Sequence, residues 1–137
     1  MTEGLVDTSV FVAREVGRPV LMDLMPTDVV VSIVTVAELR AGVLSADDTA
    51  TRARRLATLT LALDFDARPI DEDVAEAWAL LRVQLRSRGR SMPINDSWIA
   101  ATAIALRIPV VTQDADYDDV PGLDVIRVCP VQSLGAS

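Results

Sequence analysis

The sequence predicts an α/β domain in which a parallel sheet lies between layers of helix. Three observations carry that prediction. Short apolar runs alternate with segments of helical periodicity along the whole chain. The strand-like runs, Val29–Val34 above all, are apolar throughout rather than at every second position, which marks strands covered on both faces. The connections are short, with no internal repeat, low-complexity tract or linker. At 137 residues the chain suits one domain over 1–137, long enough to bury a core of two or three layers.

Taken in order, Gly4–Val6 reads as a brief strand ending at Asp7, ahead of the helix-like SVFVAREV. Arg18–Met25 reads as a short helix. Val29–Val34 is a β-branched run that reads as a buried strand, and a helix opens at Thr35. Between Ser45 and Leu63 a further helix is expected, with a ragged apolar face. From Asp71 to about Arg88, Val74, Ala77, Trp78, Leu81 and Leu85 recur at helical spacing with arginines on the opposite side. A second apolar helix runs from Asn95 to about Arg107 and stops before Ile108-Pro109. Val110–Thr112 and Val125–Val128 complete the set as short strands.

Composition narrows the chemistry. Half of the residues are hydrophobic, yet no apolar run approaches the roughly 18–20 residues of a membrane span. MTEGLVDTSV lacks the basic-then-apolar layout of a secretory signal, and the single cysteine, Cys129, cannot pair internally, so a reducing cytoplasm is the expected location. Histidine and lysine are both absent. That excludes a Ser-His-Asp triad, His-ligated zinc, a Walker phosphate loop and a Schiff-base enzyme. Carboxylates, and whatever they bind, must perform any polar catalysis. The formal charge of −7 argues against a phosphate-rich partner, but all 13 basic residues are arginine and seven fall in two groups. Arg52, Arg54 and Arg55 form one; Arg82, Arg86, Arg88 and Arg90 form the other. Two readings fit them: solvated helix faces paired with nearby acids, or a local basic patch that the net charge hides.

The acids are placed where an α/β sheet forms its sites, beyond the carboxyl ends of the strands. Asp7 follows the first strand, Glu38 follows the Val29–Val34 run, and Asp114 and Asp116 follow Val110–Thr112. Asp96 lies in the first turn of the helix from Asn95. Each acid has a local explanation. Asp7 can cap a helix, Thr35-x-x-Glu38 spells a capping box, Asp96 suits a helix dipole, and Asp114 and Asp116 suit a turn. Local explanations do not account for all of them sharing one rim. Two carboxylates about 4 Å apart repel by roughly 4 kcal/mol at an effective dielectric of 20. Several such terms rival a whole domain stability of about 5–15 kcal/mol. Either protons or a cation must relieve them, and a hard divalent ion such as Mg²⁺ or Mn²⁺ suits an all-oxygen site.

Together, LVDTSVF, SIVTVAELRAGV, RSRGRSMPINDSWIAATAIAL and VVTQDADYDDVPGLDVI resemble the PIN-domain ribonucleases, specifically the VapC-type toxins of toxin–antitoxin pairs. The resemblance covers most of the chain, with the motifs in order. It implies a PIN-like three-layer α/β/α domain with a four- or five-stranded parallel sheet, commonly a homodimer, that binds Mg²⁺ or Mn²⁺ and cleaves RNA. It also implies a VapB-type antitoxin lying in an apolar groove. Carried onto this chain, Asp7, Glu38, Asp96 and Asp114 are the catalytic acids, and Asp7, Asp96, Asp114 and Asp116 the metal-binding ones. Glu38 is left as a ligand of one metal, a ligand of a second, or a base for water. Ser9 and Thr112 supply hydroxyls beside the metal. Tyr117 stands where an aromatic, often Phe, is usual, and reads as packing; Asp118 and Asp119 read as solvated. Arg82, Arg86, Arg88 and Arg90 are the expected RNA contacts.

Two other readings compete. In the first, the domain is catalytically silent and serves as a protein-binding subunit of a repressor complex, which the intact acids oppose. In the second, Asp7 is the nucleophile of a small phosphatase; that chemistry usually wants Asp-x-Asp and a lysine, whereas Thr8-Ser9 follows Asp7 and lysine is absent.

Overall fold

Five parallel strands form the centre of the molecule in the order β3-β2-β1-β4-β5. The computed structural model describes residues 2–130; Met1 and residues 131–137, included in the expected domain over 1–137, lie outside the described residues. Along the chain come β1 (Glu3–Val6), α1 (Thr8–Glu15), a 3-10 turn (Met22–Leu24), β2 (Asp28–Ser32), α2 (Ile33–Leu44), α3 (Thr49–Leu63) and β3 (Asp66–Arg68). They are followed by α4 (Glu72–Ser87), α5 (Ile94–Leu106), β4 (Val110–Thr112), a second 3-10 turn (Ala115–Tyr117) and β5 (Val125–Arg127). The chain builds outward from β1 through β2 to β3, then returns to lay β4 on the other side of β1. The direction of winding therefore reverses between β1 and β4. Their register pairs Leu5 with Val110 and Val6 with Val111, which sets Asp7 and Thr112 side by side at the carboxyl edge.

The sheet is covered on both faces, as the unbroken apolar strands require. Leu5, Val30 and Val110 point into one core with Leu81 and Leu85 of α4 and Ile99 and Ala103 of α5. Their chain neighbours Val6, Val31 and Val111 point into the other, against Val10 and Phe11 of α1, Val36 and Leu39 of α2, and Leu59 of α3. Adjacent strand residues alternate between faces, and both faces are dry. Among the described residues no helix is long and apolar enough to cross a membrane.

Several boundaries differ from the sequence prediction. The strand expected through Val34 stops at Ser32, whose hydroxyl accepts the Val34 N–H at 3.0 Å and caps a helix that begins at Ile33 rather than Thr35. Thr35-x-x-Glu38 is consequently not a capping box. Thr35 is fully buried, and Glu38 sits a turn further in, free of any capping duty. Apolar character could not separate these elements, because Ile33 and Val34 suit a strand as well as a helix; a serine hydroxyl decided the break. α2 continues to Leu44, and the next helix starts at Thr49 on an Asp48 cap rather than at Ser45. The expected helix over Arg18–Met25 is reduced to one 3-10 turn at Met22–Leu24. The last strand ends at Arg127 rather than Val128. β3, with the sequence Asp-Ala-Arg, has no apolar run to announce it and exists because its backbone pairs with Val30, Val31 and Ser32 of β2. Being three residues long and charged, it also makes a poor template for a further strand.

At Gly4, packing of the amino-terminal strand leaves no room for a side chain. A Cβ there would lie 2.7 Å from Cγ of Pro26 and 3.0 Å from Cγ2 of Val111. Gly4→Ala should therefore cost about 1–3 kcal/mol through overpacking, read as a lower urea midpoint at unchanged slope; an unshifted midpoint would show that Pro26 yields freely.

Candidate acidic site at the carboxyl edge of the sheet

The site is assembled from three strand–helix junctions. Asp7 ends β1 and caps α1, so the local explanation offered for it holds: its carboxylate accepts the Ser9 N–H at 3.4 Å. Capping is only part of its surroundings. Asp7 is 1% exposed, its Oδ2 accepts the Thr112 hydroxyl at 3.0 Å, and its Oδ1 accepts the Tyr117 hydroxyl at 2.9 Å. Behind Thr112 the hydrogen bonds form a directed chain: Gln113 N–H to Ser9 Oγ at 3.0 Å, Ser9 to Thr112 at 3.2 Å, and Thr112 to Asp7. The donor order is fixed at both ends, by an amide that can only donate and a carboxylate that accepts. Ser9 and Thr112 thus lie beside the acids, as expected of them. Thr112 Oγ1 also accepts the Asp114 N–H at 2.9 Å, which sets the start of the loop carrying the remaining acids.

Above Asp7, one carboxylate oxygen from each of Asp96, Asp114 and Asp116 falls within 4.8 Å of the others, a spacing at which a single cation could be held. Asp96 comes from the first turn of α5, Asp114 from the end of β4, and Asp116 from the following 3-10 turn. Burial first, and then the charge of Asp7, push the Asp96 carboxyl up to about 7; Asp116 adds to the rise and the Tyr117 hydroxyl opposes it. Asp114 is also raised, by burial and then by Asp7 and Asp116, with Arg18 and Arg127 pulling the other way. Tyr117 is held neutral, its ionisation pushed far upward by burial and by the charges of Asp7 and Asp96. These shifts share one cause. Negative groups are crowded in a half-dry place, and the donor set, all carboxylate oxygen with its repulsion unrelieved, fits a hard divalent ion.

Glu38 stands across from this group on α2. Its Oε1 accepts the Thr8 hydroxyl at 2.7 Å, and its Oε2 accepts Asn95 Nδ2 at 3.4 Å. Thr8 also lies 2.9 Å from the buried Thr35 hydroxyl, so α1 and α2 are joined through the residues that hold Glu38. Beside Glu38 an open cleft is lined by Val34, Ala37, Ala41 and Asn95. Thr8, Asn95 and Tyr117 are site neighbours that sequence reading missed. The first two flank Asp7 and Asp96 in the chain, which was the available signal. Tyr117 does pack, as expected, but its hydroxyl reaches the site as well.

The arginines divide. Arg82 lies over the Trp78 ring at 5.2 Å, and that ring stacks on Trp98 at 4.2 Å. Arg90 is engaged within the chain, donating to the carbonyls of Asp119 at 2.7 Å and Asp118 at 3.0 Å. Arg86 and Arg88 are exposed, and Arg82, Arg86 and Arg90 line a cleft with Gly89 and Ser91. In the other group, Arg52 and Arg55 donate to carbonyls of Ala46 and Gly42 after and within α2. Asp118, expected to be solvated, pairs with Arg127 at 3.2 Å.

A five-stranded parallel sheet between helical layers, with acids gathered where its winding reverses, defines an α/β domain with a candidate cation site at its carboxyl edge. The chain belongs to the PIN domain family, matched over residues 4–123, and is a VapC-like ribonuclease toxin of the toxin–antitoxin type. Ribonuclease VapC5 of Mycobacterium tuberculosis is 48% identical over 128 residues, spanning 91% of this chain and 95% of that protein. Ribonuclease VapC4 of the same organism is 48% identical over 124 residues, spanning 90% and 95%. The crystal structure of VapBC-5, a member of the VapBC family of toxin–antitoxin systems from Mycobacterium tuberculosis, superposes with a TM-score of 0.85 at 44% identity, covering 93% of this chain and 100% of that one.

The raised Asp96 carboxyl has a consequence for stability. Its folded-state value near 7 lies above the unfolded value of about 3.9, so the stabilising proton is fully bound below about pH 4 and lost as pH rises through 7. In EDTA the melting temperature should fall between about pH 4 and pH 7. Asp96→Asn should flatten that fall and melt higher than wild type at the alkaline end. A variant that melts lower there would contradict the crowding described.

Proposed function

We infer that the protein is a metal-dependent endoribonuclease acting in the manner of a VapC toxin, with the whole chain forming one PIN domain. The observation that carries this reading is the meeting of Asp96, Asp114 and Asp116 within 4.8 Å, near enough to the buried Asp7 for its charge to act on Asp96 and Asp114, in a chain of this family. Asp7, Asp96, Asp114 and Asp116 would hold Mg²⁺ or Mn²⁺. When bound, such an ion stabilises charge on a phosphate oxygen and acidifies a coordinated water.

The protein's own groups do the rest. Asp7, fixed by two hydroxyls and shut away from solvent, gives the floor of the site a fixed geometry. Asp96 and Asp114 sit in surroundings that favour the neutral acid, and a bound cation would take the place of those protons. Glu38 has Thr8 and Asn95 holding its two oxygens, and with Asn95 it lines an open cleft. Of the roles open to it, we assign it that of base: it accepts a proton from the attacking water and orients that water toward the phosphorus. Backbone scission then leaves the charge on the departing oxygen opposite.

The RNA would approach over the end of α4 and the 88–91 loop, where Arg82, Arg86 and Arg88 are presented. Arg90, expected among the RNA contacts, is better described as fastening the 118–119 loop, with RNA contact secondary. For a VapB-type antitoxin, the supporting feature is an apolar cleft of about 480 Å³ beside α1, lined by Val10, Phe11, Val20, Met22, Met25 and Phe65 with Arg14 and Arg18 among them. For a homodimer, the support is the outward side of α4, where Leu80 and Val83 are 59% and 62% exposed.

Purified protein should cut single-stranded RNA in Mg²⁺ or Mn²⁺, fall silent in EDTA, and regain activity when the ion is restored. Asp96→Asn should reduce cleavage below detection while circular dichroism stays native. Asp7→Ala should also abolish cleavage but melt lower than wild type, because Thr112 and Tyr117 lose their buried acceptor. Cleavage persisting in either variant, or in EDTA, rules the mechanism out. Arg86→Glu should weaken RNA binding and reduce the slope of log affinity against log salt by about 1. An unchanged slope would return Arg86 to the role of a solvated charge.

A further inference from the structure

Beneath the acids the fold holds a hydroxyl that packing does not require. Tyr117 is the chain's single tyrosine. Its side chain is fully buried among Leu5, Leu81, Leu85, Ile99 and Val110, where a phenylalanine ring would fill the same space without an O–H to satisfy. Burying a hydroxyl is costly unless it is hydrogen-bonded. This one donates to Asp7 Oδ1 at 2.9 Å, while Thr112 donates to the opposite oxygen at 3.0 Å. Each oxygen of the buried carboxylate therefore receives one hydroxyl. The two donors come from β4 and the 3-10 turn, the same stretch that carries Asp114 and Asp116. That stretch is fastened in turn by Arg90, through the carbonyls of Asp118 and Asp119.

We propose that Tyr117 is a positioning residue for the metal site: its hydroxyl holds Asp7 in one rotamer at one distance from Asp96, Asp114 and Asp116, and so sets the affinity for the divalent ion. The inference rests on the metal-dependent reading given above. Acids gathered at one point repel, and each relieves the repulsion by turning about its side-chain bonds. Asp7 is prevented from turning because both of its oxygens are held. A carboxylate already oriented loses less freedom when it accepts an ion, which is why donors behind metal ligands affect binding so strongly. A neutral phenol is suited to that place. An arginine or lysine there would orient Asp7 equally well, but it would neutralise the acids and oppose the cation. The phenol orients the carboxylate and leaves its charge for the ion.

Tyr117→Phe in the full chain tests this, because it removes one oxygen and keeps the ring. Titrated with Mn²⁺ by calorimetry, the variant should bind about 10–100-fold more weakly than wild type, the usual cost of losing such a donor. Its RNA cleavage should be poor at low Mn²⁺ and recover at saturating Mn²⁺, a recovery that damage to the core alone would not produce. A second measurement needs only wild type. Because Trp78 and Trp98 dominate the near-ultraviolet spectrum, Tyr117 is followed by NMR in protein labelled at tyrosine. The chain's single tyrosine gives the only labelled ring signals, and Mg²⁺ should shift them with the midpoint found by calorimetry. Equal Mn²⁺ affinities in the two proteins, or tyrosine ring signals unmoved by saturating Mg²⁺, would overturn the role of Tyr117 and leave the metal site standing. A wild-type protein that takes up no divalent ion would overturn both. Should the variant fail to fold, the wild-type spectrum decides.

Discussion

A carboxylate buried where β1 meets β4 is the constraint around which this molecule is organised. Asp7 joins the two strands through its backbone, donating its N–H to Val111 O at 2.9 Å, and it caps α1 through its side chain. A charge 1% exposed would cost several kcal/mol if left without partners, a large share of the stability of a small domain. Two hydroxyls and an amide prevent that. Because those hydroxyls belong to Thr112 and Tyr117, satisfying Asp7 also fixes the loop after β4, and with it Asp114 and Asp116. The fold and the site therefore share one set of hydrogen bonds.

The charge distribution follows a similar economy. A net charge of −7 would suggest a protein that avoids RNA, yet much of that charge is concentrated where it raises the Asp96 and Asp114 carboxyls and makes a cation welcome. Meanwhile several arginines are spent on the chain itself. Arg52 and Arg55 bind carbonyls at the end of α2, Arg90 fastens the 118–119 loop, and Arg127 pairs with Asp118. Guanidinium suits such work because it offers several fixed donors and cannot lose its proton. Of the arginines left exposed, Arg86 and Arg88 lie together at the end of α4, while Arg14, Arg18, Arg40, Arg54 and Arg107 are spread over other elements. The acidic edge is kept at some expense to the metal-free protein, as sites that perform chemistry commonly are.

Much of the fold was legible in the residues. The two central strands, β1 and β4, were visible because they are short, apolar and stopped by acids. The two helices α4 and α5 were visible because their apolar positions recur every three or four residues over three turns or more. Errors gathered where pattern carries little information. β3 has no apolar residue beyond Ala67 and is a strand only because β2 offers it a ladder. The start of α2 turned on a serine hydroxyl between two β-branched residues that suit either structure. The acids were legible as a set, since all of them follow strands or open a helix, but their individual relations were not. Sequence could not separate the close group of Asp96, Asp114 and Asp116 from the buried Asp7 beneath it, nor set Glu38 apart with Thr8 and Asn95.

The sequence by itself determined most of the elements (β3 excepted), which strand ends carry acid, and that neither histidine nor lysine could share the chemistry. Those are properties of single residues and of their spacing along one chain. The tertiary structure alone decided that Tyr117 would turn its hydroxyl to Asp7, that Arg90 would bind backbone, and that three carboxylates would come within reach of one ion. Those contacts join separate stretches of the chain, Tyr117 to Asp7 across 110 positions and Arg90 to Asp118 across 28, and their distances are fixed by how two cores pack against the sheet. Periodicity describes what a segment presents to its surroundings; only packing brings two such segments to within three ångströms.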